Sequence, residues 1–221
     1  MVSLQETVRL KRDDRRLVIL EIARAAFLQD GYAATSMSQI AANLGGSKAT
    51  LYNYFPSKKD LFIAVADAES ARVLDQLYVM SETADDIRAS LSSFCRRSLT
   101  LILSDDLIAF YRMIVAESVR FPEIGQVAYD LGFKRGIQRM AAFIEKAIEA
   151  GVLRKVNARI AAEFLLDLSC GYLHKLRLWN VTQDISPKVI DSHVEAIVAI
   201  FLAAFGSDEL SRAARTGLDM I

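Results

Sequence analysis

Apolar residues recur along this chain at intervals of three and four, and no stretch keeps the strict apolar-polar alternation of a half-buried strand. Breakers divide the pattern into helices expected at about 12–30, at two short stretches following Ser36 and Ser47, and at 58–80, 85–103, 106–119, 123–150, 158–179 and 187–205. The separators are Ser104-Asp105, Phe121-Pro122, Gly151 and Ile185-Ser186-Pro187, and the tail after Gly206 is expected to be frayed or weakly helical. The fold class is all-α.

The segment from Thr35 to Phe62 carries its own start and stop signals. Ser36 can cap a helix, with Gln39 placed three residues on for a reciprocal capping box, and Met37, Ile40, Ala41 and Leu44 give that helix one buried face. Gly45 stands where the helix must stop in a left-handed conformation, and Ser47 caps the next helix after a very short turn. In this second helix Leu51 and Phe55 fall on one side, Ala49 and Asn53 opposite, and Lys48, Thr50, Tyr52 and Tyr54 on the flanks. Pro56 closes it, and Ser57 with Asp60 opens a further helix whose first turn holds Lys58 and Lys59, near where phosphates would lie. A short second helix presented by a tight turn fits the major groove of DNA.

At these residues the chain resembles the TetR family of one-component transcriptional regulators. The resemblance runs over roughly residues 15 to 65, in Gly31-Tyr32, Thr35-Ser36, Ile40-Ala41, Leu44-Gly45-Gly46-Ser47 and Leu51-Tyr52-Asn53-Tyr54-Phe55-Pro56-Ser57-Lys58-Lys59-Asp60-Leu61. Two positions depart from the family pattern: Gly46 stands where members usually carry another residue, and Ala49 where many carry glycine. The resemblance implies that Lys48, Ala49, Thr50 and Asn53 approach base edges, while Thr35, Ser36, Ser47, Tyr52, Tyr54 and Lys58 grip the DNA backbone. It also implies a three-helix helix-turn-helix DNA-binding domain over residues 1–62, then a larger helical ligand-binding and dimerisation domain over residues 63–221. The stretches Ala116–Ile124 and Ile148–Leu153 look like one regulatory-domain subtype of the family.

Charge sharpens this division. The chain is neutral overall, yet residues 1–62 carry nine Lys+Arg against six Asp+Glu and the remainder eighteen against twenty-one. Arg9, Lys11, Arg12, Arg15 and Arg16 gather before and at the start of the first expected helix, where a mobile arm could meet phosphates or a minor groove, or where a helix start is simply solvated. Two cysteines are too few for a secreted disulfide scaffold, and no signal peptide or long uncharged apolar run is visible, so a cytoplasmic protein without a membrane span is expected.

The last long helix is apolar nearly all round, as expected of a helix buried from several directions, whether within one chain's core or against a partner. From Pro187 the residues Ile190, Val194, Ile197, Phe201 and Phe205 form one stripe, with Val189, Val198, Ile200 and Leu202 on other sides. A homodimer through the last two long helices is the expected arrangement, since one recognition helix covers only one half-site. An effector pocket is expected among Phe94, Phe110, Met113, Phe133, Phe143 and Phe164, with Arg97, Arg112 and Glu117 to orient a ligand, although core residues look the same in sequence.

Other chemistries lack parts. Glu163, Asp167, Cys170, His174 and Arg177 share a helix face, but with two histidines and no paired thiols a polar face suits them better than a metal site, and no cofactor is expected. There is no phosphate-cradling glycine loop, no G-x-S-x-G elbow and no visible nucleophile-base pair, so no catalytic residues are assigned and an enzyme is not expected. The readings that stand are a ligand-responsive, homodimeric repressor reading a palindromic operator through residues 47–54, and a helical small-molecule binding or sequestering protein without DNA-binding activity.

Overall fold

The computed structural model describes residues 4–78 and 86–218, with side chains from residue 14 to residue 216 of those stretches. Among the described residues there are twelve α-helices: α1 Leu4–Ala34, α2 Met37–Asn43, α3 Lys48–Tyr54, α4 Lys58–Leu77, α5 Ile87–Ile102, α6 Asp105–Ser118, α7 Pro122–Ala128, α8 Lys134–Glu149, α9 Ala158–Cys170, α10 Tyr172–Leu178, α11 Pro187–Phe205 and α12 Asp208–Leu218. A π-helical turn, Tyr129–Phe133, joins α7 to α8, and no strand occurs among the described residues. The fold is thus all-α, and none of these helices is long and apolar enough to cross a membrane.

The chain forms two compact units, residues 1–71 with 112–132, and residues 72–111 with 133–221. In the first, α1 turns Ile19, Leu20, Ala23 and Phe27 inward, against Ile40 and Ala41 of α2, Leu51 of α3 and Leu61, Phe62 and Val65 of α4. Four rings knit this core: Phe62 meets Phe27 at 5.5 Å and Tyr32 at 5.3 Å, both near edge-to-face, and Tyr32 meets Phe121 at 5.1 Å.

The second unit is built around α5, α8, α9 and α11. Its interior holds Leu91, Phe94, Cys95 and Leu99 of α5, Met140 and Ile144 of α8, Ala161, Ala162 and Leu165 of α9, and Val194, Ile197, Phe201 and Leu202 of α11. Arg177 is the buried cation here; its guanidinium donates to the Leu103 carbonyl at 3.2 Å, to the Gln183 carbonyl and to Asp105. A buried guanidinium is tolerable because its donors are satisfied around the fork.

Four sequence expectations are revised. The first helix begins at Leu4 rather than near Arg12, so the backbone of Arg9, Lys11 and Arg12 is helical and not a loose arm, although their side chains lie outside the described residues. The helix expected over 123–150 is interrupted at Tyr129–Phe133. A π turn leaves carbonyls without their usual intrahelical partners, and the Leu131 carbonyl accepts a bond from the Ser70 hydroxyl. The helix expected over 158–179 breaks at Gly171, where ψ is −80°, because glycine holds a helix least well of the non-proline residues. The stripe Glu163, Asp167, Cys170, His174 and Arg177 is therefore split between α9 and α10. Among the described residues no group of three or more His, Cys, Asp or Glu is placed to hold a metal ion.

The tail is the fourth revision. After Gly206 the chain forms α12, with Asp208 and Glu209 in its first turn and Arg215 in its last, each favourable to the helix dipole. Ala214 is buried, and the Ser211 hydroxyl donates to the Ala203 carbonyl at 2.8 Å, fastening α12 to α11. The expected end of the fourth helix near Met80 and start of the fifth at 85 fall outside the described residues.

Candidate nucleic-acid interface

The helix-turn-helix is specified by caps at every junction. Ser36 Oγ accepts the Gln39 amide at 3.2 Å and Ser47 Oγ accepts the Thr50 amide at 3.1 Å. Between them Gly45 adopts φ +66°, the left-handed region where glycine carries no Cβ penalty. The Gly46 amide returns to the Ala41 carbonyl at 3.3 Å and the Gly45 amide to Ala42 at 3.0 Å, the paired bonds of a Schellman motif. The expected capping box is half formed: the Gln39 amide side chain donates instead to Asp30 at 2.6 Å, tying α2 to α1.

On α3, Leu51 and Phe55 are buried while Ser47, Lys48, Ala49, Tyr52 and Asn53 are exposed and Thr50 and Tyr54 half-buried. Ser36 is exposed at the start of α2. The spacing of Lys48, Ala49 and Asn53 puts them on one side of two helical turns, opposite the anchored Leu51. The α1 guanidiniums lie alongside: Arg16 sits 5.4 Å over the Phe55 ring, and a Cβ on Gly46 would stand 3.4 Å from Arg15 Nη2. The face therefore combines small and amide side chains with flanking cations, a combination suited to base edges bounded by phosphates.

Two residues expected to grip the DNA backbone are placed otherwise. Thr35 is 1% exposed, its hydroxyl within bonding distance of the Gly31 carbonyl at 2.7 Å and the Ala26 carbonyl at 3.2 Å. Lys58 donates to the carbonyls of Tyr32 at 2.7 Å, Thr35 at 2.9 Å and Ala33 at 3.3 Å, with its ammonium 4.4 Å over the Tyr32 ring. Burial, countered by the Glu117 carboxylate, draws its pKa below that of an ordinary lysine. Both side chains bond carbonyls at the end of α1, where helix carbonyls lack partners. Lys59, the next residue, is exposed. Lys58→Ala is accordingly expected to lower stability by about 1–3 kcal/mol through its orphaned carbonyls, read by urea denaturation. Unchanged stability with a salt slope of DNA binding reduced by about 1 would instead return Lys58 to the phosphates.

The end of α1 is held from a further side. Gly31 takes φ +79° and ψ 164°, a region almost confined to glycine, and a Cβ there would approach Glu117 Oε1 to 2.8 Å. That oxygen accepts the Ala33 amide at 3.0 Å. Glu117 is thus occupied at the base of the helix-turn-helix.

The other residues expected around a pocket are likewise dispersed. Met113 and Glu117 belong to the unit containing residues 1–71, whereas Phe94, Arg97, Phe110, Phe133, Phe143 and Phe164 belong to the other. Phe94 is a fully buried core residue against Tyr78 at 5.2 Å. Arg97 donates from Nη2 to the Leu77 carbonyl at 3.1 Å and from Nη1 to Ser93 at 2.6 Å. Phe110 and Phe143 are half-buried, Phe133 is exposed, and Phe164 is exposed and stacked on Phe205 at 6.4 Å. The missed signals were tertiary: neither the carbonyls that bind Lys58 nor the amide that binds Glu117 is marked by any local pattern.

A solvent-facing second helix, anchored from behind and flanked by cations, defines a helix-turn-helix DNA-binding protein. The family model for bacterial regulatory proteins of the TetR family matches residues 19–65, and that described as the AefR-like transcriptional repressor C-terminal domain matches residues 89–207. The chain belongs to the TetR family of transcriptional regulators, and these are not enzymes.

Among curated relatives, the transcriptional activator FasR of Mycolicibacterium smegmatis is 36% identical over 39% of this chain, an alignment that takes in only 41% of that protein's length. The regulator YxaF of Bacillus subtilis is 32% identical over 72% of this chain and 87% of its own. Among solved structures, the flavonoid-responsive regulator FrrA is 34% identical, covering 89% of this chain and 99% of that one with a TM-score of 0.79.

Proposed function

We propose that this regulator is a homodimeric repressor that reads a palindromic operator and is released by a small apolar or amphipathic effector. The observation that carries the reading is the outward side of α3, where Lys48, Ala49 and Asn53 are exposed while Leu51 and Phe55 fix the helix from beneath. In this reading Lys48, Ala49, Thr50 and Asn53 meet base edges, and Ser36, Ser47, Tyr52, Tyr54 and Lys59 meet the DNA backbone. Thr35 and Lys58 brace the scaffold. Residues 1–62 contain the DNA reader and residues 63–221 the effector and dimer surfaces.

Dimerisation is supported by large apolar side chains left open on the last helices before the tail. Ile160, Phe164, Tyr172, Val189 and Ile200 of α9, α10 and α11 are all exposed, and Trp179, just after α10, retains 70% of its surface. Large apolar side chains exposed in this number on successive helices are the kind of surface that protein contacts cover. A twofold pair would set two α3 helices toward successive major grooves, about 34–36 Å apart. An effector would act by binding one dimer state more tightly than the other, and the related regulator FrrA is named for its response to flavonoids.

The test is selection of bound sequences from random DNA by the purified full-length protein, repeated across ionic strength. An inverted repeat is expected, with affinity falling steeply as salt rises. No affinity at any salt would overturn the regulator reading in favour of a sequestering protein.

A further inference from the structure

The unit that carries the helix-turn-helix contains a recess that the proposed DNA contacts do not use. It lies between α1 and α2 and measures about 470 Å³, a size in the range of small-molecule sites. Its floor is apolar: Ala26 is buried and Ile22 half-buried, with Ala25 exposed at the edge. These positions recur at three and four along α1 and so share one side of it. The short side chains of Ala25 and Ala26 leave a groove that a longer aliphatic residue would close.

The rim is polar and open to water. Gln29 and Asp30 rise from α1, Gln39 and Asn43 from α2, and all four are exposed. Gln39 Nε2 donates to Asp30 Oδ2 at 2.6 Å, joining the two helices across the recess. The lining therefore holds one carboxylate, three primary amides and no base, and neither α1 nor α2 has a basic residue in its last turn. Arg24, on the same stretch of α1, is held by Glu69 of α4 at 2.9 Å.

This inventory selects the ligand class. A cation meets the Asp30 carboxylate, which has lone pairs to spare beyond the Gln39 bond, and the carbonyl oxygens of the amides. Asp30 also stands just before Gly31, whose backbone leaves the helical region, so the partial negative charge of a helix C-terminus adds to its own. An anion meets like charge with no base to answer it. A primary ammonium brings three donors, enough for Asp30 and two amide oxygens. The floor offers aliphatic carbon and no ring, so it covers a saturated body and gives an aromatic one no stacking partner.

We propose that the recess between α1 and α2 is a small-molecule site within the DNA reader itself, taking a primary alkylammonium. The ammonium donates to Asp30 and the neighbouring amide oxygens, and the saturated body covers Ile22, Ala25 and Ala26. A molecule seated there bridges the helices that Gln39 and Asp30 already join, and so stabilises the unit that presents α3. None of the lining residues belongs to α3 or to the second compact unit, so the site needs neither DNA nor an effector in place.

The test uses three probes of one shape, cyclohexylmethylamine, cyclohexylmethanol and cyclohexanecarboxylate, titrated into the full-length protein free of DNA and followed by amide NMR. The amine is expected to bind about 3- to 10-fold more tightly than the alcohol, the worth of a charge-assisted contact on an exposed rim, and the carboxylate more weakly than both. The shifted amides should include those of Ala26, Asp30, Gln39 and Asn43. Asp30→Asn, which can still accept from Gln39, should bring amine and alcohol to within about 2-fold of each other. Ala25→Leu, a good helix former at an exposed position, should weaken all three by filling the groove. A carboxylate that binds as tightly as the amine, an amine preference unchanged in Asp30→Asn, shifts confined to the second compact unit, or no binding of any probe would each overturn the assignment. Because these titrations contain no DNA, their failure is separable from a failure of operator binding, which is measured on the same preparations without probe.

Discussion

Asn53→Ala and Lys48→Ala are each expected to weaken operator binding by about 1–3 kcal/mol, roughly one to two powers of ten in Kd, without shifting the thermal midpoint of the free protein. Both side chains are exposed on α3, so their removal opens no cavity. The two losses should differ in kind. Asn53 carries an amide able to donate and accept at a base edge, so its loss should relax preference at particular base pairs; Lys48, if its ammonium also meets phosphate, should in addition lower the salt slope by about 1. Titration of both variants against operator and scrambled DNA at fixed salt reads these outcomes. Wild-type affinity and base preference in both would remove α3 as the reader.

Phe62→Ala carries the largest expected effect on the fold. Phe62 is 2% exposed and lies between Phe27 and Tyr32 in the aromatic core beneath the helix-turn-helix. Truncation should cost about 3–5 kcal/mol from the cavity and lost burial, with the two edge-to-face contacts adding about 0.5–1.5 kcal/mol apiece where they are not already counted. Against total stabilities of about 5–15 kcal/mol, that is enough to unfold the unit that holds α2 and α3 and to abolish operator binding with it. Phe62→Leu keeps most of the apolar burial but loses both ring contacts, so it should cost about 1–3 kcal/mol, less than the alanine variant. Urea denaturation followed by circular dichroism gives both values, and an alanine variant as stable as wild type would show that the ring cluster is not what holds this unit.

The parts of the molecule that were legible in sequence are those settled by neighbours along the chain. Ser36, Gly45 and Ser47 mark the boundaries of α2 and α3 through bonds spanning three to five residues, and the buried identity of Leu51 and Phe55 follows from helical spacing alone. The outward placement of Lys48, Ala49 and Asn53 is the same periodicity read from the other side. The α1 helix starts earlier than expected because no glycine or proline stands between Leu4 and Arg12 to break it. Gly171 and the π turn at Tyr129–Phe133 sit inside uninterrupted periodic patterns, where a glycine alone does not announce a break. The tail was expected to be at most weakly helical because the apolar signal of α12 is thin, chiefly Leu210 and Ala214.

Site residues divide in the same way. A polar residue at a helix boundary can serve an external phosphate or the protein's own carbonyls, and only the three-dimensional fold brings Tyr32, Ala33 and Thr35 within reach of Lys58. Glu117 is 84 residues from the amide it accepts. The aromatic residues expected around a pocket were chosen for size, a property that core and cavity share.

The bond from Glu117 to Ala33, and the Phe121 ring against Tyr32, have a bearing on how this protein can be dissected. A fragment ending at residue 62 would keep every amino acid proposed to read DNA yet lack the later stretch that completes their scaffold, which takes in residues 112–132. Such a head piece would begin life with a bare ring face and an unanswered amide at its first bend, so a minimal reader for this operator has to be built from two separated lengths of chain.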